Sequence, residues 1–163
     1  MPALIDFRSD FVVITVIAAT IAALASAASH VLTLPVWAMF VGWIAFFLRG
    51  LKSKGSAFED LACVALGTSI GVVAALSIPQ LVPITGPTLV VPVLIFIVAL
   101  VVVALRGLPI LNNLVGYFLG LVGWFAANWS PSIESLVQLF IAYIIGFAAG
   151  WVLVTMSPAL AHK

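Results

Sequence analysis

The sequence predicts an all-α membrane protein: six transmembrane helices in one domain over residues 1–163, built as two half-repeats at about 11–78 and 88–156. Three observations predict it. The first is composition. The chain is 65% hydrophobic and 7% charged, with a mean hydropathy of +1.37. A water-soluble domain carries about a quarter charged residues, so the solvent of this chain is lipid. The second is where charge is missing. Residues 11–48 and 61–105 hold no Asp, Glu, Lys or Arg, and a charge at mid-membrane costs about 2.5–3.5 kcal/mol even on the lenient insertion scale. The third is where basic charge falls. Arg8, then Arg49, Lys52 and Lys54, then Arg106, then Lys163 all lie on one side if the chain crosses six times. The positive-inside rule makes that side cytoplasmic, with both termini inside. Five or seven crossings would scatter them.

The first span covers about Phe11 to Leu32. Ala25-Ser26-Ala27 resembles a cleavage site, but Asp6 and Asp10 offset Arg8, so the leader lacks the positive charge of a signal peptide. Ala18, Ala19, Ala22, Ala23 and Ser26 permit close helix approach. The second span, about Thr33 to Leu48, reaches only ~24 Å against a hydrocarbon core of ~30 Å, and Arg49 extends it by snorkelling. Residues 50–55, GLKSKG, form a polar loop. The third span runs from about Leu61 to Ile78. Pro79, Pro83 and Pro87 then predict an extended connection over Ser77 to Pro87. The fourth, Thr88 to Leu105, is mostly Val, Leu and Ile and reads as lipid-facing, with Pro92 in its first turns. The fifth runs from Ile110 to Asn128 and carries Gly116, Gly120 and Gly123. The sixth runs from about Ile133 to Met156.

The halves echo one another. At an offset of 78, Phe40, Gly42, Phe46 and Phe47 fall on Phe118, Gly120, Trp124 and Phe125. At an offset of 79, Glu59, Gly67 and Gly71 fall on Gln138, Gly146 and Gly150. Spans one and four show no such likeness. Three spans per half is an odd number, so the halves run oppositely through the membrane. That is an inverted-topology repeat, a plan common among channels and carriers.

The pattern Trp37, Phe40, Gly42 and Phe46, and the second segment Gly116, Phe118, Gly120 and Trp124, resemble the YcdZ-like bacterial inner-membrane proteins, a family of unknown function (number 1097). The resemblance spans about Pro35 to Trp151. It implies a bacterial inner-membrane location and a multi-span helical fold, and it implies no catalytic residues.

Gly67 with Gly71, and Gly146 with Gly150, put small residues on one face of spans three and six, where backbone contact holds helices together in lipid. Three readings stand: packing within a subunit, crossing at a pseudo-symmetric centre, and a subunit interface. Phe40, Trp43, Phe46, Phe118 and Trp124 either line a narrow conduit or serve as core and lipid contacts. Asn112 and Asn113 either cap the fifth helix or orient a solute. Gln138, a helical turn after Glu134, either bonds a neighbouring helix or lines the path. Cys63 reads as a buried inert thiol and His30 as an interfacial imidazole.

A net charge of +1 without basic runs argues against a nucleic-acid partner. No residues are spaced as metal ligands, as a phosphate loop or as a catalytic triad, so no metal, cofactor or enzymatic activity is expected. The leading expectation is a passive channel, facilitator or binding protein for a small neutral solute. Its path lies among spans two, three, five and six, along Phe40, Gly42, Trp43, Phe46, Asn112, Asn113, Phe118, Gly120, Trp124 and Gln138. Homo-oligomerisation fits so short a chain. The alternative is a non-transporting accessory or scaffold subunit packed against another membrane protein. The glycine faces and the want of a soluble domain suit it as well.

Overall fold

The computed structural model describes residues 3–48 and 54–156, with side chains at 11–48 and 56–156. Arg49, Lys52, Lys163 and most of the polar loop therefore lie outside the described residues. Six helices make up the fold: α1 (Ala3–Val31), α2 (Val36–Phe47), α3 (Lys54–Thr85), α4 (Val90–Leu105), α5 (Leu114–Ala127) and α6 (Ile133–Met156). No strand occurs among the described residues. Three stretches are long and apolar enough to cross a membrane: Phe11–Val31, Ser56–Thr85 and Ile133–Met156. α2, α4 and α5 are apolar but shorter, at 12, 16 and 14 residues, or roughly 18, 24 and 21 Å.

The helix ends follow local chemistry. α1 stops in a tight corner where Thr33 takes a φ of 56° and Pro35 starts α2 with its fixed φ of −68°. Asn113 caps α5: its side-chain oxygen accepts from the Val115 and Gly116 amides at 3.1 and 3.2 Å. Asn128 closes the same helix in the left-handed conformation, at φ 51°, which its short polar side chain tolerates. Ser132 opens α6 by accepting from the Ser135 amide at 3.0 Å.

One expectation fails at α3. The Ser77–Pro87 stretch is not extended, because the helix continues through Pro79 and Pro83 to Thr85. Each proline removes one backbone donor and leaves the rest of the ladder available. Ser77 and Thr85 hydroxyls bond the carbonyls of Val73 and Leu81, four residues back, at 2.8 and 3.0 Å. Such local bonds let a membrane helix carry prolines. The helix ends at Gly86, whose φ of +77° only glycine adopts freely and whose amide bonds the Val82 carbonyl.

The core is made of two helix pairs, α3 with α5 and α2 with α6. Asp60, Val64 and Gly71 meet Asn113, Gly120 and Trp124 in that order, so α3 and α5 run parallel. Met39 and Phe46 likewise meet Gly146 and Gly150, so α2 and α6 run parallel. Phe58 near the start of α3 stacks on Trp151 near the end of α6, with ring centroids 5.6 Å apart, and Thr68 meets Tyr143 midway. The two pairs therefore point in opposite directions. α1 lies against α6 and α4 against α3. On α4 only Val90, Leu94 and Val102 are buried, as its uniform aliphatic sequence leads one to expect.

Candidate functional site

Glycine decides how closely the pairs approach. A Cβ built on Gly120 meets the Val64 carbonyl oxygen, and one on Gly67 meets the Tyr117 carbonyl oxygen. In the other pair, Gly42 meets the Tyr143 carbonyl and Gly146 meets the Met39 carbonyl. These are backbone-on-backbone seats that no side chain would fit. The correspondence runs residue by residue. Offsets of 78 and 79 carry Gly42 to Gly120, Met39 to Tyr117, Gly67 to Gly146 and Val64 to Tyr143. Each member of one set meets the counterpart of what the other meets. A ring covers the second glycine of each face: Trp124 Cβ lies 3.0 Å from a Cβ at Gly71, and Phe46 Cδ1 lies 2.9 Å from one at Gly150. Each glycine helix of one half thus packs on the glycine helix of the other half.

Apart from Ser29 on α1, whose buried hydroxyl has no partner among the described residues, and Tyr143 on α6, the polar groups described in the core gather along α3 and α5. Near the start of both helices Asn113 Nδ2 donates to Asp60 Oδ1 at 2.7 Å, while its oxygen caps α5. Asp60 is buried. Cys63 and Tyr117, both fully buried, come next, and the Tyr117 hydroxyl donates to the Leu111 carbonyl at 3.1 Å. Farther in, Thr68 Oγ1 lies 3.0 Å from the Val64 carbonyl, 3.2 Å from the Gly120 carbonyl and 3.3 Å from the Tyr143 hydroxyl. That hydroxyl reaches across from α6 and stands 2.5 Å from a Cβ built on Gly123. Buried hydroxyls in an apolar core must find partners inside it, and these do.

The residues singled out from the sequence do not converge on one lumen. Gly42 and Gly120 are seats against backbone. Phe46 and Trp124 are buried lids over Gly150 and Gly71. Phe40 and Phe118, counterparts at an offset of 78, both face outward, 44% and 41% exposed. Phe118 lines an apolar groove of about 620 Å³ between α3, α4 and α5, with Leu94, Val98 and Leu121. Trp43 is half-buried on the α1 side, beside Met39 and Ala149. Asn112 is exposed, and Gln138 is half-buried on α6. Of the two asparagines, Asn113 is the cap and also the link to α3. Sequence reasoning missed Asp60, Thr68, Tyr117 and Tyr143. The signals were faint: Asp60 lies next to the repeat-matched Glu59, and Thr68 next to the repeat-matched Gly67. Among the described residues, no three His, Cys, Asp or Glu side chains come together as a metal site.

Long apolar helices, interlocked through glycines and enclosing a few paired polar groups, define a helical membrane protein. The chain belongs to the family described as "Protein of unknown function (DUF1097)", whose model matches residues 12–157. No curated protein and no solved structure matches it.

Proposed function

We propose that the protein is a passive facilitator for a small neutral solute in the bacterial inner membrane. It crosses six times, with both termini cytoplasmic, as two oppositely oriented halves. The observation that carries this reading is the reciprocal seating of the two oppositely directed helix pairs, α2 with α6 and α3 with α5, through residues at matching offsets. An exchange of halves across an axis in the membrane plane produces that arrangement, and solute paths in such proteins lie where the halves meet. The likeness extends past the glycines. α1 stands to α6 as α4 stands to α3, although their sequences differ. The parallel course of α3 and α5 supports a return crossing by α4 between them, and with six crossings all six basic residues share one side.

The chemistry of the core supports an uncharged cargo. Its central hydroxyls, Thr68 and Tyr143, give and take hydrogen bonds without charge. The glycine seats describe a closed state, so passage requires the halves to part by a small amount. No enzymatic step is part of the reading, and homo-oligomers of such short chains are.

The test is flux. The purified chain, reconstituted in vesicles, is mixed rapidly with urea, glycerol or a small amide, and light scattering follows the volume. Equilibration faster than in empty vesicles for at least one solute is expected. No acceleration for any of them, together with a membrane protein that copurifies in fixed ratio, would replace the facilitator with the scaffold.

A further inference from the structure

The two glycine-seated seams share a geometry and differ in chemistry. In the α3·α5 seam stand Asp60, Asn113, Cys63, Tyr117 and Thr68. Offsets of 79 on α3 and 78 on α5 give their counterparts in the α2·α6 seam: Leu139, Pro35, Ala142, Met39 and Phe147. All five are apolar there, and the one buried polar side chain that α6 adds, Tyr143, turns its hydroxyl across to Thr68 of α3. The α2·α6 seam holds its helices just as closely, so polar side chains are not needed to make such a crossing. Buried polar groups in a membrane core are a liability unless they are used.

We infer, on the basis of the facilitator reading, that the solute moves along the α3·α5 seam alone and that the Asp60–Asn113 hydrogen bond is its cytoplasmic closure. The α2·α6 seam is the fixed support. From Asp60 to Thr68 the column rises eight residues along α3, about 12 Å, from the cytoplasmic end to the middle of the core. Its groups offer both donors and acceptors, which suits a neutral solute bearing both, such as an amide or a polyol. Thr68 has one proton and three acceptors within 3.3 Å. It can turn that proton to a solute while the Val64 and Gly120 carbonyls keep their helix bonds. At the entrance, Asn113 both caps α5 and grips Asp60, so loosening that grip frees the start of α5 from α3.

The chain supplies its own reporter. Its single cysteine, Cys63, lies fully buried in the α3·α5 seam, with its Cβ 2.9 Å from a Cβ built on Gly116. The C63A/A142C variant moves the thiol to the equivalent place in the other seam, and C63A/A38C is a second reporter there should the first fold poorly. The full chain in vesicles is treated with methyl methanethiosulfonate, and labelling is timed by mass spectrometry. Cys63 is expected to react at least tenfold faster than either thiol of the α2·α6 seam. N113D keeps the cap acceptor, removes the donor and sets a second carboxylate beside Asp60. It is expected to speed Cys63 labelling and urea or glycerol entry severalfold and to leave the A142C thiol unchanged. The D60N/N113D exchange puts the donor on residue 60 and the acceptor on residue 113, and both rates should return toward wild type. Equal labelling in the two seams, or an exchange variant that stays as open as N113D, overturns the inference. Labelling does not depend on transport. A wild type without flux therefore counts against the facilitator, and the labelling ratio still judges the seam.

Discussion

Adding one methyl group to each glycine face is the sharpest perturbation the packing offers. At Gly42, Gly67, Gly120 and Gly146 the obstacle to a Cβ is the main chain of the facing helix. Ordinary contact for a Cβ begins at 3.4 Å, and each of these sites falls short by at least ~1 Å. A carbonyl inside a helix cannot rotate away, so the whole helix must retreat and its neighbouring contacts loosen with it. Overpacking costs about 1–3 kcal/mol, and a rigid obstacle belongs at the upper end. Alanine recovers up to about 1 kcal/mol of helix propensity, which leaves a net loss of about 2 kcal/mol at each of the four. At Gly71 and Gly150 the obstacles are the side chains of Trp124 and Phe46 at 2.9–3.0 Å. A ring can shift by a few tenths of an ångström, so cost and propensity roughly cancel. Pairs carry a further signature. Gly42→Ala with Gly146→Ala acts on a single crossing, and the second methyl costs less once the first has parted the helices. Gly42→Ala with Gly120→Ala acts on separate crossings, and the losses add. Unfolding in mixed micelles, read by tryptophan fluorescence, measures all of this. Wild-type stability in the four backbone-seated variants would refute the reasoning, as would losses at Gly71 and Gly150 equal to theirs.

Other outcomes follow from the same contacts. Asn113→Ala removes a cap worth about 1 kcal/mol and strips Asp60 of a 2.7 Å donor, so it should cost about 2 kcal/mol or more in the same unfolding assay. Asn113→Asp keeps the cap but loses the same donor and faces Asp60 with a like charge, so it should not be milder. Thr68→Val preserves shape and removes the hydroxyl. It should cost only about 0.6–1 kcal/mol, the usual worth of a hydrogen bond between membrane helices, while urea entry falls far more than stability does. Pro79→Ala restores one backbone donor at a site exposed to the surroundings and should stabilise α3 or leave it unchanged, with flux retained; a large loss of stability would show that the proline bend is needed. In a Cys63→Ala background, an impermeant thiol reagent should reach Lys52→Cys and Lys163→Cys from the same face of the membrane.

Hydropathy and charge placement were enough to mark the six apolar segments, and the limits of the last, Ile133–Met156, agree between sequence and structure. The close-approach glycines could be picked out one at a time, because a seat against backbone admits no other side chain, but not the faces they meet: Gly67 of α3 seats on Tyr117 of α5, and Gly146 of α6 on Met39 of α2, a helix with the single glycine Gly42. Asn113 as a cap was one of two open readings, and only the coordinates added that its amide also holds Asp60. The helix through Pro79 and Pro83 was not legible. Proline weighs against helix locally, while the neighbouring hydroxyls and the packing that tolerate it act from elsewhere.

What the sequence determined by itself is the solvent of this chain and the set of faces along which helices approach. Both follow from side chains counted one at a time. Which face meets which was decided by tertiary structure. α2 lies on α6 and α3 on α5, and Asp60, Cys63, Thr68, Asn113 and Tyr117 fall into one of the two seams, where Tyr143 reaches Thr68 from α6. The physical reason is that a hydrogen bond or a backbone seat belongs to two helices at once. Asp60 and Thr68 gain their meaning from Asn113, Gly120 and Tyr143, which stand 52 to 75 residues further along the chain.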